Sequence, residues 1–255
     1  MTSPHILTSV REKVQIIEIS RIEKKNALTN EMYQALRNAI ETADSDPAVN
    51  VILLRGANGV FTAGNDIGDF NNRPKDAPSP GQQFMHAMHR TEKPIIAQVE
   101  GLAIGIGTTM LLHCDLVYVA KETRLRMPFV NLGVCPEAGS SLLLPMRAGH
   151  RGASELLLLA DFFTAEEAVL HGIANRALDR DEIDDFVWAR AVELAAKDPT
   201  AIRESKRLLK AHYADACTKQ INEELLVFSR LLETEASAMH GPIPFPKRTD
   251  FNVVV

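Results

Sequence analysis

The chain has few cysteines, no excess of positive charge and no long apolar run, and each absence removes a class of protein. Its three cysteines, Cys114, Cys135 and Cys217, have no paired spacing in 255 residues. They point to reduced thiols in a cytosolic compartment rather than a disulfide framework. A formal net charge of -5 argues against a nucleic-acid surface, because phosphate binding needs clustered Lys and Arg. The basic residues are scattered, with small clusters at Lys24-Lys25 and Lys247-Arg248. No apolar stretch reaches the roughly 20 residues of a membrane span. Met1-Thr2-Ser3-Pro4-His5 has neither a signal-peptide layout nor the Arg-richness of a transit peptide. The ending Asn252-Val253-Val254-Val255 is no peroxisomal address. Internal repeats and low-complexity segments are also lacking. The expectation is a cytoplasmic protein with no nucleic-acid or membrane partner.

What is present is enough apolar sequence for a sizeable core: 45% of residues are hydrophobic and 24% charged. Ile6 to Ser9 and Val14 to Ile19 alternate around a charged turn and read as a hairpin. Thr29 or Asn30 caps a helix with Met32, Leu36 and Ile40 on one face. Val51 to Leu54, Ile95 to Val99 and Leu116 to Val119 read as buried strands, the last two joined by a small-residue helix beginning near Gly105. The Pro- and Gly-rich stretch Asn71 to Gln82 reads as a loop, and Gln83 to Arg90 as a helix. After Ser140 the pattern is helical throughout, ending with Thr218 to Ala236. Alternating strands and helices followed by helices alone predict an α/β core. The expected division is a core over residues 1–195 and a helical region over 196–255. Leu225, Leu226, Phe228, Leu231 and Leu232 at its end suit either a subunit interface or an intramolecular core.

Glu137 is the residue most charged with chemical meaning. It lies in Val134-Cys135-Pro136-Glu137-Ala138-Gly139-Ser140-Ser141, an apolar, turn-rich stretch that opens the helix carrying Leu142, Leu143 and Leu144. A carboxylate half-removed from water favours its neutral form and exchanges protons nearer neutral pH. The alternative is a first-turn helix residue favoured by the helix dipole.

Two upstream segments bear on that choice. Gly59 to Ile67 (GVFTAGNDI) and Gly101 to Thr109 (GLAIGIGTT) each follow a buried strand and are rich in small residues. Such turns let a ligand approach the backbone and leave N–H groups free to donate. Converging, they make an oxyanion hole for a carbonyl that becomes an enolate; separately, each also reads as a tight packing turn. Their order in the chain, with Lys93-Pro94-Ile95-Ile96-Ala97 between them and then Met127-Pro128 and Asn131-Leu132-Gly133, resembles the crotonase (enoyl-CoA hydratase/isomerase) superfamily. The resemblance runs from about Arg21 to Ser141.

The resemblance implies a crotonase (ClpP/crotonase-like) spiral of ββα units with a C-terminal helical region, assembled as a homotrimer or dimer of trimers. It implies an acyl-CoA thioester as partner, with no metal and no cofactor beyond the coenzyme A of the substrate. Its two oxyanion donors fall on the backbone of Ala63 and Ile106. Contacts to the CoA portion and acyl chain fall on Lys24, Lys25, Asn26, Ala27, Ala63, Gly64, Asn65, Asp66, Ile67, Gly107 and Phe129, with Lys247 reaching a neighbouring subunit's phosphates. The family's hydratases pair two glutamates at positions that here are Thr109 and Phe129, neither of which ionises. Glu137 sits where the peroxisomal-type 3,2-enoyl-CoA isomerases place their glutamate, and Gly64-Asn65-Asp66 is similar to their first oxyanion turn. A related group of 3-hydroxyacyl-CoA hydrolases pairs its carboxylate with a glutamate where this chain has Phe129. The implied activity is isomerisation of a 3-enoyl-CoA to a trans-2-enoyl-CoA by one glutamate. Other CoA-thioester enolate chemistry, including hydratase-type lyase action, and acyl-CoA binding without catalysis are the alternatives.

Other candidates have plainer readings. His86 and His89 stand three apart on a helix without a further ligand in register. Met85 and Met88 suit either an acyl pocket or the core. Ser140 and Ser141 read as helix caps, Cys135 as an inert thiol and Asp66 as a turn residue.

Overall fold

Among the described residues, the main sheet has six strands, in the spatial order β1 (Ile6–Arg11), β2 (Val14–Ile19), β3 (Val51–Gly56), β4 (Ile95–Val99), β6 (Leu116–Ala120) and β9 (Arg176–Leu178). The computed structural model describes residues 3–70 and 78–233. Lys247, most of the loop expected from Asn71, and the last residues of the helix expected to reach Ala236 lie outside the described residues. β1 (Ile6–Arg11) and β2 (Val14–Ile19) make the expected antiparallel hairpin, with Arg11 paired to Val14. Its turn residues Glu12 and Lys13 both take positive φ, 50° and 63°, which matches the twist of the flanking strands. β3 (Val51–Gly56), β4 (Ile95–Val99), β6 (Leu116–Ala120) and β9 (Arg176–Leu178) then add in parallel.

The continuous apolar runs of these strands follow from burial on both faces. In β3, Ile52 and Leu54 join the larger core, while Val51 and Leu53 face a smaller one. On the larger side lies α1 (Asn30–Ser45), capped by Thr29, whose side chain accepts from the Met32 N–H at 3.2 Å. Its stripe of Met32, Leu36 and Ile40 is buried, and each such side chain contributes roughly 1.5–3 kcal/mol. The smaller core is closed by α7 (Ile183–Ala195) through Ile183, Val187 and Ala191.

A second sheet of β5 (Leu102–Ile104), β7 (Arg124–Arg126) and β8 (Phe163–Thr164) stands beside the first. The remaining helices are α2 (Ile67–Phe70), α3 (Pro80–Arg90), α4 (Ile106–Thr109), α5 (Ser140–Ser154), α6 (Ala165–Leu170), α8 (Pro199–Lys210) and α9 (Ala214–Leu232).

Two expectations need correction. The stretch after Ser140 is not helical throughout, because β8 and β9 complete the two sheets. The loop expected to run to Gln82 ends earlier. Ser79 caps α3 in a reciprocal capping box with Gln82, and Pro80 occupies the first turn, where its missing N–H removes no helical bond. The expected boundary near residue 195 falls between α7 and α8, yet Cys217, Ile221 and Phe228 of α9 belong to the same large core as α1 and α3. Leu226 on the same helix is 70% exposed.

Candidate active site

The first turn, after β3, is built by a zipper between residues 25–28 and 62–66. Thr62 Oγ1 donates to the Asn26 carbonyl at 2.6 Å and accepts from the Gly64 N–H at 3.1 Å. The Leu28 N–H donates to Gly64 O and the Asp66 N–H to Leu28 O, both at 2.8 Å. The Ala63 N–H donates to the Lys25 carbonyl at 3.0 Å. This corrects the expectation that Ala63 is an oxyanion donor: its one proton is already used. The Asn65 N–H, between the Gly64 carbonyl and the Asp66 N–H that both bond Leu28, donates to no described residue.

Asn26 is likewise a scaffold residue. Its fully buried amide donates to Ala57 O at 3.1 Å and Val60 O at 2.6 Å and accepts from the Arg21 N–H. Lys24 and Lys25 are exposed, and Ala27 half-buried, on the same turn. Asp66 pairs with Arg21 at 2.6 Å and accepts from the Gly68 N–H at 2.9 Å. Burial raises its pKa, but these partners outweigh that and hold the carboxyl below its ordinary value. Asp66 is thus the turn residue expected, at the head of α2, which Ile67 opens.

The second turn stands against the first. Gly64 has φ +89°, and a Cβ there would lie 2.6 Å from the Ile104 carbonyl. A Cβ on Gly107 would lie 2.6 Å from Thr62 Cγ2, so this glycine is a packing contact between the turns. Ile106, the first residue of α4, has no acceptor within its own helix for its N–H, and it donates to no described residue.

α4 runs into a 3-10 turn ending at His113, whose Nε2 bonds the Ala138 carbonyl at 2.7 Å. A carbonyl only accepts, so Nε2 carries the proton. Burial is the main force pushing the His113 pKa down to about 3. The second turn is thereby tied to the Glu137 loop. Ala138 and Gly139 take φ of 65° and 71°, bending the chain so that the Glu137 carbonyl accepts from Ser140 N and Oγ at 3.1 and 2.6 Å. Ser140 therefore closes the turn rather than capping α5.

These elements converge on one cleft. Asn65, Ile106 and Glu137 all line it, with Tyr33, Gln82, Met85, Ile221 and Leu225 among its other walls. Glu137 is 8% exposed, and it is the only carboxylate among the described lining residues. Met88 is core. Thr109 and Phe129 are buried outside this lining, and Thr109 Oγ1 turns back toward the Ile106 carbonyl. A smaller adjoining hollow holds Asp66 and Asp69; Asp69 accepts from the Asn30 N–H at 2.8 Å.

The fold is that of the crotonases, and a family model described as enoyl-CoA hydratase/isomerase matches residues 9–253. The chain belongs to the enoyl-CoA hydratase/isomerase family. It is 31% identical over 229 residues to the enoyl-CoA delta isomerase 2 of Rattus norvegicus, covering 87% of this chain and 58% of that protein. It is 30% identical to the crotonyl-CoA hydratase of Syntrophomonas wolfei, covering 81% of each. The crystal structure of an enoyl-CoA hydratase/isomerase from Pseudoalteromonas atlantica superposes with TM-score 0.89 at 34% identity, over 92% of this chain and 94% of that one. Members of this family act on acyl-CoA thioesters. No helix among the described residues is long and apolar enough to cross a membrane.

Several features of this family member escaped the sequence pattern. His86 and His89 part company: His86 bonds Asn222, and His89 bonds the Ala214 carbonyl. His89 instead meets His113 and Cys217, their ligand atoms within 4.8 Å of one another. The charge of Lys210 bears on both histidines and that of Arg147 on His113, which opposes a metal cation there. Tyr33, Ile221 and Leu225 reach the cleft from helices remote in sequence, through tertiary packing that no local motif announces.

Proposed function

We propose that this chain shifts the double bond of a 3-enoyl-CoA to give the trans-2-enoyl-CoA, with Glu137 as the one acid/base. In this reading the thioester oxygen accepts from the N–H groups of Asn65 and Ile106. Glu137 takes a proton from C2, the electron pair of that C–H bond spreads through C1 onto the thioester oxygen and through the C3–C4 double bond to C4, and the proton returns at C4. The double bond is then between C2 and C3, with no net gain or loss of protons. Donors aimed at the developing oxyanion are worth about 10²–10³-fold each in rate. The apolar walls Met85, Ile221 and Leu225 suit the acyl chain, and the exposed Lys24 and Lys25 suit phosphates of coenzyme A.

The observation that carries this reading is that Glu137, the one carboxylate among the described lining residues, shares its cleft with two backbone N–H groups that donate to no described residue. Water addition needs a second group to activate water, and Asp66 and Asp69 in the adjoining hollow are committed to Arg21 and to the start of α1. The test is incubation with cis-3-hexenoyl-CoA and, separately, with trans-2-hexenoyl-CoA. The expected result is a rise in conjugated enoyl-thioester absorbance with the first and little loss of it with the second. Rapid hydration of the second with no conversion of the first makes the chain a hydratase. Tight binding with no conversion of either makes it an acyl-CoA-binding protein.

A further inference from the structure

α5 begins two residues after the Glu137-Ala138 turn, and its N-cap is Gly139, which has no side chain to satisfy the first-turn N–H groups. The acceptor comes from another helix, 85 positions away. Glu224 of α9 accepts from the Gly139 N–H at 2.6 Å through Oε2. Through Oε1 it accepts from the Ser141 N–H at 2.9 Å and from Ser141 Oγ at 2.5 Å. Gln220, one turn earlier on α9, donates to the same Ser141 Oγ at 2.8 Å. Cys135 Sγ, on the other side of Glu137, donates to the Glu224 carbonyl at 3.5 Å. The loop is thus fastened to α9 on both sides of Glu137.

Glu224 is 4% exposed. A buried carboxylate is costly unless it is ion-paired or well hydrogen-bonded. Burial raises its pKa, while the bonds from Ser141 and Gly139 pull the other way. A local cap does not fit here, since Gly139 has φ +71° and a Cβ there would lie 3.0 Å from Cys217 Sγ, so the acceptor comes from another helix. What the long reach adds is a mechanical link. Ile221 and Leu225, flanking Glu224 on α9, line the cleft that holds Glu137.

We propose that Glu224 is a positioning residue that fixes the Glu137 loop to the helix forming the acyl wall, so that the carboxylate stands at a set place relative to the bound chain. This rests on the isomerase reading above. A displacement of about 1 Å in a reacting group costs on the order of 10²-fold in rate.

The experiment compares Glu224→Ala, Glu224→Gln and Leu225→Ala with the wild type, reading kcat and KM on cis-3-hexenoyl-CoA. It also reads amide exchange in residues 134–144, which needs no activity, and a thermal melt and near-ultraviolet circular dichroism check folding. The expected result is a kcat lowered about 100-fold in Glu224→Ala and about tenfold in Glu224→Gln, with KM changed less than about threefold. Exchange in residues 134–144 rises in both. Leu225→Ala, which loses only the wall contact, raises KM and leaves that exchange unchanged. Glu224→Gln is the variant expected to stay folded if Glu224→Ala does not. Wild-type kcat and unchanged exchange in folded Glu224→Gln overturn the positioning role. A wild type that fails to isomerise overturns the isomerase reading instead, and the exchange data still decide whether Glu224 holds the loop.

Discussion

Tyr33 donates its hydroxyl hydrogen bond to Asn65 Oδ1 at 2.5 Å, and both residues line the cleft. Tyr33 is itself held, 3% exposed on α1 with its ring 5.7 Å from that of Phe84 on α3. The bond fixes the residue whose backbone N–H is the donor assigned to the thioester oxygen. Tyr33→Phe keeps the packing and removes the bond. The expected outcome is a stability loss of about 1 kcal/mol and a kcat about tenfold lower, since loosening one oxyanion donor costs less than deleting it. Steady-state kinetics with a urea titration checks this; an unchanged kcat places the Tyr33 bond outside catalysis.

His113 makes stability depend on pH in a defined direction. Its folded pKa, about 3, lies below the ordinary histidine value of 6.5. Between these values the unfolded chain binds a proton that the folded chain does not, so stability is full above pH 6.5 and falls as pH drops through the window. The loss is about 2 kcal/mol by pH 5. Glutamine at 113 retains a donor for the Ala138 carbonyl and does not titrate. Urea midpoints at pH 7 and 5 are expected to separate less for His113→Gln than for the wild type; equal separations contradict a neutral buried His113. His86 and His89, whose pKa values are also lowered, chiefly by burial, leave a residual slope of the same sign.

Gly107 sets how closely the two turns approach. Its missing Cβ would stand 2.6 Å from Thr62 Cγ2, and Thr62 is fully buried and bonded to Asn26 and Gly64. Alanine at 107 is expected to cost about 1–3 kcal/mol through overpacking and to lower kcat/KM by spreading the Asn65 and Ile106 donors. A denaturant titration with parallel kinetics checks both; a variant as stable and active as the wild type shows that the turns have slack.

How much of this was legible in the sequence depended on the range of the interactions involved. β3, β4 and β6 were readable because strands buried on both faces are apolar throughout. α1 was readable because Thr29 and its apolar stripe are local signals. β5, β7, β8 and β9 are two or three residues long, too short for any period to show, and their pairing is tertiary. The start of α3 was missed because Pro78 and Pro80 read as breakers, although Ser79 and Gln82 spell a capping box. The choice between Ala63 and Asn65 as donor turns on which N–H the 25–28 segment uses, a matter of register between distant segments. Glu224 had no signal near Glu137 at all.

In the proposed reaction one carboxylate, Glu137, moves the proton. Glutamine at this position keeps the shape and the hydrogen-bonding reach and loses the base. Turnover of cis-3-hexenoyl-CoA by Glu137→Gln, measured beside the dissociation constant of an acyl-CoA, tests it most directly. The expected result is turnover lower by about 10²–10⁴-fold with the dissociation constant changed less than about threefold. A Glu137→Gln enzyme that isomerises at a rate near the wild type's contradicts it.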